Sequence, residues 1–118
     1  MIMENRGEIL IYQNDEGKIK LEVNIQDETV WLTQEQMALL FGKGRSTVTE
    51  HIANIYKEGE LEKKRTSRKF RLVRQEGIRE VERELEYYNL DVIISVGYRV
   101  KSQQGTQFRI WATQRLKD

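Results

Sequence analysis

Between Leu32 and Ile55 the chain reads LTQEQMALLFGKGRSTVTEHIANI. Arg45, Ser46, Thr47, Thr49 and Glu50 form a short row of hydrogen-bonding side chains just after a glycine-bearing turn. Those types suit the edges of base pairs. Arginine pairs bidentately with guanine, and glutamate accepts from cytosine or repels phosphate. The Thr49 methyl suits the methyl of thymine, while Ser46 and Thr47 suit base edges or phosphate oxygens. The competing reading is the wet side of an ordinary helical hairpin.

Two helices must hold that row. Gln34, Ala38, Gly42, Val48 and Ile52 follow the spacing Q-x3-A-x3-G-x5-V-x3-I. In a helix-turn-helix, the small Ala38 lets the second helix cross close. Gly42 supplies the positive φ of the turn, and Val48 and Ile52 pack beneath. The second helix then presents its N-terminal residues, Gly44 to Glu50, to the major groove. Lys43 departs from the pattern, where an apolar residue is commoner. Thr33 and Gln36 predict a capping box for the first helix. Ser46 is the expected N-cap of the second, which runs to about Lys57 before Gly59 stops it.

KKRTSRKFRLVR (63–74) follows, with seven basic residues of twelve and no acidic one. Directly after such a helix pair, this is where a winged helix presents its wing. Lys63, Lys64, Arg65, Arg68, Lys69, Arg71 and Arg74, with Lys43, are the expected phosphate contacts, which supply affinity without sequence information. QEGI (75–78) reads as a turn. Residues 79–88 fit a helix or a strand. The strand is favoured, because it puts Glu80, Glu82, Glu84 and Glu86 on one side, facing a basic neighbour.

EILIYQ (8–13) and KIKLEVNI (18–25) alternate apolar with polar around the turn NDEG (14–17), predicting an N-terminal β-hairpin. ETVWL (28–32) predicts a third strand. Asn89 should cap a helix to about Tyr98, with Asp91 in its first turn and Gly97 weakening its end. VKSQQG (100–105) reads as a loop before a final helix from about Thr106, with Phe108, Trp111, Ala112 and Leu116 as core positions. The expected fold is α+β: a winged-helix/helix-turn-helix-type domain with an N-terminal β-hairpin, a basic β-hairpin wing and a C-terminal helix pair. The whole of 1–118 makes one such domain, divided into 28–88 for the winged unit and 89–118 for the helix pair. The unterminated end at Asp118 suggests a longer parent protein.

The 118 residues suffice for one core. With no cysteine there is no disulfide or thiolate metal site, which fits a cytoplasmic protein. No apolar run approaches the ~20 residues of a membrane span. The net charge of +1 hides alternation. Residues 1–42 carry 3 basic and 8 acidic groups, net −5, and 43–75 carry 10 and 4, net +6. Residues 76–96 carry 2 and 6, net −4, and 97–118 carry 5 and 1, net +4. The lone His51 makes neither a metal site nor a catalytic pair. Glu76, Glu80, Glu82, Glu84 and Glu86 are the one candidate for Mg²⁺, which would make a metal-dependent nuclease. Evenly spaced glutamates beside cations are more simply ion-paired. GKGRST lacks the spacing of a phosphate loop.

WLTQEQMALLFGKGRSTVTEHIANIYKEGEL (31–61) and YYNLDVIISVGYRVKSQQGTQFRIWATQRLK (87–117) closely resemble the RhuM family of bacterial virulence-associated proteins. The second block, with YNLDVIISVGYRV followed by GTQFRIWAT, is the more specific. The resemblance implies a winged-helix-type DNA-binding region and a downstream region that this chain lacks. In some relatives that region carries a Fic-type enzymatic domain. The second block is also distantly similar to the DNA-binding domains of phage antirepressors, by analogy only.

These readings converge on a sequence-specific DNA-binding domain, not an enzyme, with a role in transcription regulation. No cofactor and no metal are expected. Double-stranded DNA is the expected partner and a membrane is not. A homodimer and a downstream domain of the parent protein stay open as further partners. The alternative is a protein-interaction or targeting module for a downstream Fic-like domain.

Overall fold

The computed structural model describes residues 2–4 and 8–117, with the side chains of 2–4 and of Arg74 left outside the description. The elements run β1 (Ile2–Glu4), β2 (Glu8–Gln13), β3 (Lys20–Gln26), β4 (Thr29–Leu32), α1 (Gln34–Phe41), α2 (Arg45–Lys57), α3 (Lys63–Thr66), β5 (Ser67–Glu76), β6 (Arg79–Asn89), α4 (Leu90–Val100) and α5 (Gln103–Lys117). The strands form one sheet in the order β1-β5-β6-β4-β3-β2, antiparallel except for the parallel β1–β5 pair. The α+β class, the N-terminal hairpin, the second hairpin and the C-terminal helix pair are as the sequence predicts. Residues 79–88 are strand.

The first hairpin pairs Tyr12 with Leu21 and Leu10 with Val23, so these four side chains fall on one face. That face meets Val30 and Leu32 of β4, Met37, Leu40 and Phe41 of α1, and Val48, Ile52 and Ile55 of α2. Val92, Ile93 and Val96 of α4 and Phe108 and Ala112 of α5 join the same core. Trp111 packs at its margin, with its ring 5.1 Å from Tyr12. A second cluster of Trp31, Phe70 and Tyr87 lies apart, stacked edge to face at 5.7 and 5.2 Å. Among the described residues no helix is long and apolar enough to cross a membrane.

Local chemistry explains the helix ends. Thr33 Oγ1 accepts from Gln36 N at 3.2 Å, and Gln36 Oε1 accepts from Thr33 N at 2.9 Å, closing the capping box. α1 ends at Gly42, φ 63°, where Lys43 N donates back to Ala38 O at 3.0 Å. Asn89 Oδ1 accepts from Val92 N and caps α4.

Four boundaries differ from expectation. Ser46 is not the N-cap of α2. Gly44 holds that place in an extended conformation, so the helix starts at Arg45. Lys63–Thr66 is a helical turn rather than strand, held as Thr66 Oγ1 donates to Glu62 O at 2.7 Å. The stretch 100–105 is almost wholly helical. The break is only Lys101, φ 54°, and Ser102, whose hydroxyl accepts from Gln104 N. Finally, Gly97 does not loosen α4. It is buried against Gly105 and the Phe41 ring, where α4 and α5 cross at glycine distance.

A Cβ at Gly42 would meet nothing within 4 Å, so its cost is backbone strain alone. Gly42→Val should lower stability by about 1–2 kcal/mol, and Gly42→Asn by less. Equal melting temperatures for the two variants would mean that the turn does not hold a positive φ.

Candidate nucleic-acid interface

α2 buries Val48, Ile52 and Ile55 and turns the opposite side outward. Arg45, Ser46, Thr49 and Glu50 are exposed, and Thr47 is half-buried at the margin. Four of the five expected base-reading side chains therefore share one open face. Ala53 and Lys57 extend it by two turns. Both lie at helical spacing from Ser46 and Glu50, so continuing the row along the sequence would have found them.

The row is not loose. The Arg45 guanidinium donates to Glu35 Oε1 at 3.0 Å, although both side chains are largely exposed. The Thr49 hydroxyl donates to Gln34 Oε1 at 2.5 Å and lies 2.9 Å from Arg45 O. Gln34 Nε2 in turn donates to the Tyr88 hydroxyl at 3.0 Å. Thr49, Gln34 and Tyr88 thus link α2, α1 and β6. Burial pushes the Tyr88 phenol above its ordinary range, so it stays protonated at neutral pH. The N-terminus of α2 has no side-chain cap and no acidic residue in its first turn. Its first backbone N–H groups are open to an anion.

The expected phosphate contacts separate into three places. Lys43 sits exposed in the turn before α2. Lys63, Lys64 and Arg65 stand exposed on α3, where Lys63 lies 3.7 Å from Glu86 and Arg65 3.6 Å from Glu62. Arg68, Lys69, Arg71 and Arg74 are on β5. Register sends Lys69 and Arg71 to one face, opposite Glu86 and Glu84, and Arg68 to the other, opposite Tyr87. Arg71 lies 3.9 Å from Glu82. Arg68 stacks 5.0 Å from the Trp31 ring centroid and bonds to Asp27. Arg74 belongs to the same strand, but its side chain lies outside the described residues. Lys43, Lys57, Lys64 and Lys69 have no ion-pair partner among the described residues.

Charges near the C-terminal end of α2 are muted from elsewhere. Arg99 of α4 lies 3.0 Å from both Glu58 and Glu60. Hydrogen bonds from Ser95 and Arg99 hold the Glu60 carboxyl below the usual carboxylate range. The ribbon of β5 and β6 carries 6 basic and 5 acidic residues over 67–89, net +1. Its four glutamates 80–86 lie along one face of β6, with Arg79 and Arg83 on the other. Among the described residues no three acidic, histidine or cysteine groups gather closely enough to hold a metal ion. The glutamate row therefore gives the nuclease reading no geometric support.

Residues 65–118 match the family model described as the Virulence protein RhuM family. These 54 of the 118 residues are similar to that family. The matched segment starts within α3 and takes in β5, β6, α4 and α5. The paired helices α1 and α2 precede it. No curated protein and no solved structure matches the chain.

The geometry separates structural cations from ones without an ion partner in the matched segment and beside it. Arg68→Ala removes a cation–π stack and the Asp27 bond, and should lower stability by roughly 1 kcal/mol. Lys69→Ala and Ser46→Ala should stay within about 0.5 kcal/mol of the parent. Thermal melting of the three variants checks this. A destabilised Ser46→Ala would restore Ser46 as the cap.

Proposed function

We propose that the chain binds duplex DNA sequence-specifically as a winged helix-turn-helix domain, with α2 in the major groove. The observation that carries this is the face of α2. It joins an uncapped N-terminus to an exposed row of Arg45, Ser46, Thr49, Glu50, Ala53 and Lys57. The open N–H groups suit a phosphate oxygen at the groove's edge. Arg45, held by Glu35 at the start of the helix, is placed to exchange that partner for guanine. Ala53 offers an apolar contact for a thymine methyl. Thr49, tied to Gln34, is prepositioned at little further entropic cost.

Affinity comes from cations that have no ion-pair partner among the described residues. Lys43, Lys57 and Lys64 flank α2, and Lys69 stands on the ribbon. This differs from a simple basic wing, because Arg71 on the ribbon already lies beside Glu82 and cross-strand from Glu84. Nearness to the helix, rather than the length of the basic run, decides which lysines contribute. The chain acts in this reading by binding and positioning, with no chemical step of its own.

Selection from random duplexes should enrich a site. On that site Arg45→Ala should cost roughly 1–3 kcal/mol and relax preference at one base pair. Lys43→Ala, Lys57→Ala and Lys64→Ala together should weaken all duplexes alike and flatten the salt dependence by up to about three units of slope. If Arg45→Ala binds every duplex like the parent, α2 is only the solvated side of a hairpin.

A further inference from the structure

We propose that the open edge of β6, with the groove beside it, is a strand-addition site for an extended segment of another protein. That segment alternates cationic and apolar side chains.

The edge comes from unequal strand lengths. β6 pairs with β5 along its whole length, but β4 pairs only with its last two residues, Tyr88 and Asn89. β4 stops at Leu32, where α1 takes over. From Arg79 to Tyr87 the side of β6 away from β5 has no strand partner among the described residues. Such an edge presents alternate N–H and C=O groups to any incoming backbone.

The same early stop opens a groove of about 810 Å³ between the ribbon and the first hairpin. Ile9, Asn24, Leu39, Leu72, Leu85 and Tyr87 are among its walls. Ile9 is 51% exposed, Leu39 54% and Leu85 37%. Asn24 is only 5% exposed, yet its Oδ1 finds no hydrogen-bond donor among the described residues. A buried acceptor left unpaired is costly, and this one lies in the wall of an open groove. The groove thus sets exposed apolar side chains and one unmet acceptor beside the polar Thr33, Glu35, Gln36 and Arg71, a mixed lining that suits an extended peptide.

Charge selects the occupant. Glu80, Glu82, Glu84 and Glu86 lie along one face of β6, and Glu80 and Glu84 have no ion partner among the described residues. A strand added there sets every second side chain beside this row, so those positions favour lysine or arginine. The intervening side chains fall on the face of Val81 and Leu85, towards the groove, and favour apolar residues. A second copy of this chain fits poorly. Antiparallel pairing of two β6 edges would set glutamates against glutamates. The site does not depend on DNA binding by α2.

The test titrates the chain with a peptide of alternating lysine and valine, of roughly eight residues. One control alternates glutamate and valine. The other keeps lysine and valine but carries prolines that remove backbone donors. The lysine peptide should bind, weaken with salt and protect amides between Glu80 and Tyr87 from exchange. The double variant Glu82→Lys, Glu84→Lys should reverse the preference between the charged peptides by roughly tenfold. Equal binding of the glutamate or the proline peptide to the parent chain overturns the proposal. So does protection mapped elsewhere, or self-association that protects the same amides without peptide.

Discussion

The Gln36 side chain holds two backbones at once. Its Oε1 accepts from Thr33 N, and its Nε2 donates to Glu22 O at 2.7 Å. The first bond starts α1. The second satisfies a β3 carbonyl at the point where β4 no longer runs alongside. One amide thus ends a strand, begins a helix and fastens that helix to the sheet. The position of α2 follows, because α2 packs on α1 across the Gly42 turn and their apolar faces share one core. The groove follows too, since it occupies the space that a longer β4 would fill.

The sheet has cores of different character on its two sides. Under the helices, aliphatic side chains from every helix but α3 converge with Phe41, Tyr88 and Phe108. On the other side, three aromatic rings suffice, roofed by Arg68 and closed by Trp31 Nε1 donating to Gln26 O at 2.9 Å. Asp27, which holds Arg68, sits in a two-residue turn with φ 53°, followed by Glu28 with φ 63°. Two positive values suit a type I′ connection, where glycine or asparagine is usual. The ion pair and stack over Trp31 offset part of that backbone strain. A cation drawn from the most basic stretch of the chain is therefore used for packing.

Much of this was legible because the signals were local. Thr33 with Gln36, Gly42, Gly59 and Asn89 act within four residues of themselves, and each is found where its chemistry places it. Alternation between Arg79 and Tyr88 marked a strand despite four glutamates, since their spacing of two matches the pleat. The errors also have local causes. Ser46 was a better cap than Gly44 by side chain, but Gly44 already had the extended conformation that the turn requires. Gly97 and Gly105 resembled breakers because their partners are far apart in sequence. Only the crossing of α4 over α5 beside Phe41 reveals them as packing glycines. The turn at Asp27 and Glu28 bore no glycine and so gave no sign. At the candidate interface, the outward row on α2 was readable from helical period. The bonds of Arg45 to Glu35 and of Thr49 to Gln34 were not, because they depend on how two helices cross.

Charge shows the same division between what order along the chain reveals and what pairing does. The blocks alternate in sign along the sequence, yet folding interleaves them. The acidic residues 80–86 lie against the basic β5, and Arg99 from the last basic block reaches Glu58 and Glu60 at the end of α2. Among the described residues, the charges without an ion partner include Lys43, Lys57 and Lys64 around α2, and Glu80 and Glu84 along the free edge of β6. A polyanion and a cationic strand would thus be drawn to different parts of one small surface. A chain of almost zero net charge can in this way attract partners of opposite sign, provided that its charges are sorted by strand face and helix face and not by sequence block.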